Sequence, residues 1–251
     1  MARQKGIIPL QGTIGNINFF KSGDGYMARE KGGVSADKIA NDPVFERTRE
    51  NNAEFGRAGK ASKVLRTAFR PLLQKASDNR MISRLLTKML EVIHEDGVNL
   101  RGQRNVIDGE ATMLEGFEFN INSRLSAVFH ANYTITLTRA TGVLSVNIPA
   151  FVPAERIAAP QGTTHVRLSL GGSDIDFENE IVSAENVQTD FIAWNNQMVT
   201  LPDLTVNLPA ASTHPLFGLL SIEFLQDVNG AKYPLKNGKF NASSLIKVDN
   251  Q

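Results

Sequence analysis

The 251-residue sequence contains no cysteine. That excludes a disulfide framework, a thiolate metal site, an iron–sulfur cluster and a cysteine nucleophile, and it leaves the redox compartment undetermined. No apolar run approaches the roughly 18 residues of a membrane span. The basic start from Met1 to Lys5 is followed only by Ile7 to Leu10, interrupted by Pro9, which is too short for a signal-peptide core. Cytoplasmic synthesis without an export signal is the expectation, with the final location open and an assembled particle or filament one candidate for it. The net charge is only +1, and the 41% hydrophobic content is ordinary for a globular chain able to build a sizeable core.

The enzyme signatures are also missing. Gly56-Arg57-Ala58-Gly59-Lys60-Ala61-Ser62 invites a phosphate-loop reading, but Glu54 stands where the first glycine is required and Ala61 follows the lysine. Gly23-Asp24-Gly25 lacks the third glycine of a dinucleotide loop and the helix after it. His94, His130, His165 and His214 are scattered without short ligand spacing, and no Gly-x-Ser-x-Gly elbow offers a nucleophile. The expectation is therefore a protein that is not an enzyme, with no cofactor, no metal and no identifiable small-molecule ligand.

The charge is divided unequally. Residues 1–110 hold 19 Lys or Arg against 13 Asp or Glu, and residues 111–251 hold 8 against 13. Such a split suits nucleic acid or a head-to-tail contact between identical subunits. Arg57, Lys60, Lys63, Arg66 and Arg70 recur at helical spacing, but no aromatic platform flanks them and Glu46, Glu50 and Glu54 can pair with some, which weighs against nucleic acid.

Three regions follow from the patterning: an N-terminal β arm (1–41), a helical segment and linker (42–115) and an antiparallel β-sandwich (116–251), an α+β chain overall. In the arm, Thr13 to Lys21 and Tyr26 to Arg29 flank the turn residues Ser22-Gly23-Asp24-Gly25, so that a hairpin from Gly6 to Lys31 is predicted. An isolated hairpin is marginal in water, so Ile14, Ile17, Phe19, Phe20 and Tyr26 need cover from the later sheet or from another subunit. Asp42-Pro43 is a helix start, and the helix should run to about Arg70, where Pro71 ends or kinks it. Gly56 and Gly59 inside it cost about 1 kcal/mol each, which close approach of another backbone would offset. A second helix, capped by Ser77 or Asp78, carries Ile82, Leu85, Leu86, Met89, Leu90 and Ile93 on one face and stops at Gly97. Asn99 to Glu115 reads as a linker containing at most a short helix.

Beyond Phe117 the period becomes two, with runs at 117–121, 125–129, 133–138, 143–148, 165–170, 175–182, 190–194, 198–208, 216–228, 231–235 and 245–248. Thr141-Gly142, Asn229-Gly230 and Asn237-Gly238 supply hairpin turns. This spacing predicts an antiparallel sandwich. Asp174, Asp176, Glu178 and Glu180 alternate, which on a strand gives an acidic solvent or interface face, too spread for one metal ion. Phe191, Trp194 and Phe217 are either sandwich core or anchors for a ligand.

Gly12-Thr13-Ile14-Gly15-Asn16-Ile17, Phe20-Lys21, Gly25-Tyr26 and Arg29, with Arg47-Thr48-Arg49-Glu50-Asn51 and Glu54-Phe55-Gly56-Arg57, resemble uncharacterised bacterial protein families. The resemblance implies the same order of arm, helices and β domain over nearly the whole chain, and no activity. The expected function is a structural subunit that forms a homo-oligomer, filament or particle. Its contacts would be Ile14, Ile17, Phe19, Phe20 and Tyr26 in the arm, with Arg57, Lys60 and Lys63 meeting Asp174, Asp176 and Glu178 of a neighbour. The alternative is a binding module whose sandwich holds a protein or carbohydrate.

Overall fold

The computed structural model describes residues 2–6, 8–30 and 32–250, so the Met1, Ile7 and Lys31 positions of the expected arm lie outside the described residues. The chain forms two compact units, 1–49 and 50–251.

The first unit is a four-stranded antiparallel sheet rather than a single hairpin. Its strands are β1 (Ala2–Arg3), β2 (Gly12–Ile14), β3 (Ile17–Ser22) and β4 (Gly25–Glu30), in the order β1-β4-β3-β2. The predicted turn joins β3 to β4, with Ser22 opposite Gly25 and Gly25 at φ +106°, where a side chain would be strained. The Gln4 side chain ties the entry segment down, accepting from Leu10 N at 2.8 Å and donating to Met27 O at 3.0 Å. A short helix α1 (Ala36–Asn41) follows, capped by Ser35.

Asp42 opens the helical region as expected. Its carboxylate accepts from Val44 N at 3.0 Å ahead of a 3₁₀ turn at Pro43–Phe45 and the long helix α2 (Glu46–Ala68). Pro71 has the foreseen effect: Phe69 leaves helical geometry and a new turn, α3 (Arg70–Leu73), begins. The helix α4 (Met81–His94) buries Met81, Leu85, Met89, Val92 and Ile93, while Ile82 of the expected stripe is turned outward. Asp78 serves its entrance by accepting from Arg80 N at 2.6 Å.

The remaining helices are the single turns α5 (Leu125–Val128) and α6 (Pro153–Arg156). The strands are β5 (Thr134–Thr138), β6 (Val143–Asn147), β7 (His165–Asp176), β8 (Ile181–Gln188), β9 (Ile192–Ala193), β10 (Leu204–Asn207), β11 (Leu216–Val228), β12 (Ala231–Pro234) and β13 (Ala242–Asp249). All pair antiparallel. Three form a small sheet, β10-β6-β5; six form a larger one in which β11 and β7 run together and β8, β9, β12 and β13 flank them. The fold is α+β.

The central strands of the larger sheet, β7 and β11, are buried on both faces because they are covered on both, whereas β8 and β12 at its edges hold no buried residue. Phe217 and Leu219 of β11 point to the helices, while Leu220, Ile222 and Phe224 point to the small sheet. Each such side chain, fully removed from water, stabilises by roughly 1.5–3 kcal/mol. Gly171 and Gly172 in mid-β7 make this double covering possible. A Cβ on Gly171 would lie 2.9 Å from Leu72 Cδ1 on the helical side, and one on Gly172 would lie 2.6 Å from Val206 Cγ2 on the other. The pair that separates two runs in the sequence is thus strand interior, kept bare so that both layers can approach.

Three expected strand or hairpin assignments after Phe117 are corrected. Of the expected strand 125–129, residues 125–128 form the turn α5 and Phe129 only a bridge to Ile157, because so short a run fits either period. Residues 117–121 contribute only the bridge Glu118↔Ser244. Asn237-Gly238 ends a 3₁₀ turn and joins no hairpin, since β12 and β13 both pair with β11. The helices of 42–115 and strands of 116–251 share one core, so their boundary separates sequence patterns and not compact units.

Candidate functional site

The N-terminal sheet is the first candidate. Antiparallel register places directly opposed side chains on one face. Ile14 opposes Ile17, Phe19 opposes Ala28, and Lys21 opposes Tyr26, so four of the five expected contact residues share a face. Phe20 lies on the other face, opposite Met27 and 5.3 Å below the Arg29 guanidinium. Among the described residues of unit 1 not one is buried, and Ile14 and Ile17 are 63% and 45% exposed. The sheet builds no core of its own.

The second candidate lies in the larger unit, where a groove of about 450 Å³ runs between α2, the 103–108 loop and the β7–β8 turn. Arg57 and Lys60 line it together with Glu178 and Glu180. Cations and carboxylates expected to meet across a subunit boundary are thus neighbours within one chain. They form no ion pair with each other: Arg57 Nη1 donates to Gly102 O at 2.5 Å, and Lys60, Lys63 and Glu178 are without ion pairs among the described residues. Among the described residues, no atom beyond their own helix turn lies within 4 Å of a Cβ added at Gly56 or Gly59, so the close backbone approach expected there is not made.

The loop beside the groove is tightly bonded, unlike a linker. Asp96 is buried and accepts from Val98 N, Asn99 N and Asn99 Nδ2, each at 2.9 Å, and from Asn105 N at 3.0 Å. Burial alone would raise its pKa; those donors overcome it and hold the carboxyl at about 2. Glu54, 1% exposed, accepts from Arg104 Nε at 2.7 Å, Arg104 Nη2 at 3.0 Å and Gly102 N at 2.8 Å. The Arg104 bonds push its pKa below the usual glutamate value despite desolvation. Glu54 therefore serves this loop and not the helix cations.

The acidic alternation holds only in part. β7 ends at Asp176, and 177–180 form the turn, with Glu180 at φ +57°. Asp174 is buried, 4% exposed, so the expected acidic surface does not include it. His214 partners one of its oxygens: its Nδ1 lies 2.9 Å from Asp174 Oδ1 and its Nε2 3.8 Å from Asp176 Oδ2, while Asp174 Oδ2 is buried without a hydrogen bond. Arg139 holds the His214 segment in place through Ser212 O and His214 O, both at 2.8 Å. The cluster fastens the β10–β11 connection to the end of β7. Sequence reasoning missed it because its members are 40 residues apart. The Asn179 side chain, donating Nδ2 to Asp176 Oδ2 at 2.7 Å, lowers the Asp176 pKa most, and Asn179 N at 3.0 Å and Glu178 N at 2.9 Å, both donating to Oδ1, add to it.

Among the described residues no group of three or more His, Asp or Glu is placed to hold a metal ion, and no helix is long and apolar enough to cross a membrane. Of the three aromatic candidates, Phe217 is fully buried and Trp194 packs on the core with Nε1 donating to Ile157 O at 3.1 Å, while Phe191 is 45% exposed.

No protein-family model, no curated protein and no solved structure matches the chain. The site residues therefore stand on their own geometry.

Proposed function

We propose that the protein is a non-catalytic structural subunit that assembles with copies of itself into a homo-oligomer, filament or particle through its N-terminal sheet. One observation carries this: a four-stranded sheet with no buried residue exposes Ile14 and Ile17 on the face that also holds Phe19 and Tyr26. A sheet this small gains stability in water only when an apolar face is covered. On α2, the outward-facing Phe55, 54% exposed and next to Gly56, offers a second contact through which pairs can extend. Light scattering over a concentration series tests the proposal. Mass rising well above 27.5 kDa supports it, and a 27.5 kDa monomer at every concentration overturns it.

A binding module is the alternative, favoured by the groove of about 470 Å³ along residues 187–204, where Phe191 and the 71% exposed Met198 stand at the surface. A concentration-independent monomer that retains a protein or carbohydrate ligand would select it.

A further inference from the structure

The two faces of the N-terminal sheet differ in whether they can meet a copy of themselves. The face of Phe20 and Met27 carries Arg3, opposite Met27, and Arg29, opposite Asn18. Two such faces would set like charges against each other. The opposite face carries Ile14, Ile17, Phe19, Ala28 and Tyr26 and, among the described strand residues, one cation and one anion at its ends. Lys21 stands beside Tyr26, its Nζ 5.6 Å from the ring centroid, and Glu30 opposes Ile17 at the far end of the hairpin. The Lys21 and Ile17 rungs are four residue steps apart along the strand, about 13 Å.

We propose, resting on the assembly reading above, that this face packs against the same face of a second copy about a two-fold axis running across the strands. Such an axis reverses strand direction, so Lys21 of each copy comes to the Glu30 end of the other and the apolar residues close between them. An axis along the strands would instead bring Lys21 to Lys21 and Glu30 to Glu30. Packed sheets are about 10 Å apart, a gap that a lysine and a glutamate reaching toward each other span at the rim. The contact is isologous: one patch, used twice, gives two identical ion pairs.

Charge reversal in the full-length protein tests the pairing. Lys21→Glu leaves two carboxylates on the face and Glu30→Lys leaves two cations, so each variant alone should dimerise about tenfold more weakly in sedimentation velocity, since both symmetric pairs turn repulsive. An equimolar mixture of the two should recover wild-type association. In the mixed dimer the carboxylate introduced in one variant meets the amine introduced in the other, and the unchanged Lys21 and Glu30 meet as in the wild type. Circular dichroism of each variant checks that the fold is intact. A wild-type protein that assembles while the variants match it, or while the mixture stays as weak as its components, overturns the pairing and leaves the assembly reading standing. A wild-type monomer overturns both.

Discussion

Arg104→Met offers a quantitative check on the larger unit. The Glu54 side chain is 2% exposed and receives two of its three short hydrogen bonds from Arg104. Removing the guanidinium strands a buried carboxylate with only Gly102 N close by and the half-exposed His94, whose Nε2 is 3.6 Å away. Breaking one side of such a pair costs about 3–5 kcal/mol. At roughly 2–4 °C per kcal/mol for a unit of this size, the melting temperature should fall by about 10 °C. Urea unfolding followed by circular dichroism reads the same loss as a lower midpoint at unchanged slope. Replacing both partners, Glu54→Leu with Arg104→Met, should cost less than Arg104→Met alone, because no charge is left buried. The pH dependence has a definite sign. Glu54 has its folded-state pKa depressed below 4.5, so its contribution is complete above that value and is lost as pH falls through the folded pKa. The gap between wild type and Arg104→Met should therefore narrow in acid. A loss below about 1 kcal/mol at pH 7, or a double variant as costly as the two single changes added, would refute the account.

Asp96→Ala should destabilise by about 3 kcal/mol in urea at pH 7, since it leaves the Val98, Asn99 and Asn105 amides without their acceptor. Because the Asp96 pKa is lowered to about 2, the wild-type advantage should persist to pH 4 and vanish only as pH approaches that value. Gly172→Val should cost about 1–3 kcal/mol by pressing on Val206, and trimming Val206 to alanine in the same chain should recover part of it. Gly142→Ala should cost more than about 1 kcal/mol by thermal unfolding, since an added Cβ would run into the Leu208 carbonyl oxygen at a residue with φ +72°.

The parts of the fold visible in the sequence are those whose cause is local. α4 repeats its apolar residues every three to four positions, β11 matches its apolar run from Leu216 to Val228, and Asn229-Gly230 turns it into β12 at positive φ. Gly171-Gly172 reads locally as punctuation, yet its role is set by Leu72 and Val206, which no neighbouring residue announces. The groove was half legible: Arg57, Lys60 and Glu178 stand out by charge and spacing, but nothing in the sequence shows that the β7–β8 turn folds back beside α2 in the same chain. The Glu54–Arg104 and Asp174–His214 pairs were invisible because 50 and 40 residues separate the partners. The sheet that carries the functional proposal was legible as residues and not as faces, since its register decides which side chains stand together.

β13 also has a consequence in time. It lies against β11, receives the Glu118 bridge, and through Ser243 Oγ donates to Ala76 O at 2.7 Å across 167 residues. At roughly 5–20 residues per second of synthesis, the ribosome needs on the order of 10–40 s to pass from α2 to β13. Throughout that interval Phe69, Leu85 and Leu114 await the strands that bury them, whereas the N-terminal sheet has all its partners within the first 30 residues. The surface proposed for self-recognition is thus finished first, free to find its counterpart on a neighbouring nascent chain before either larger unit has closed.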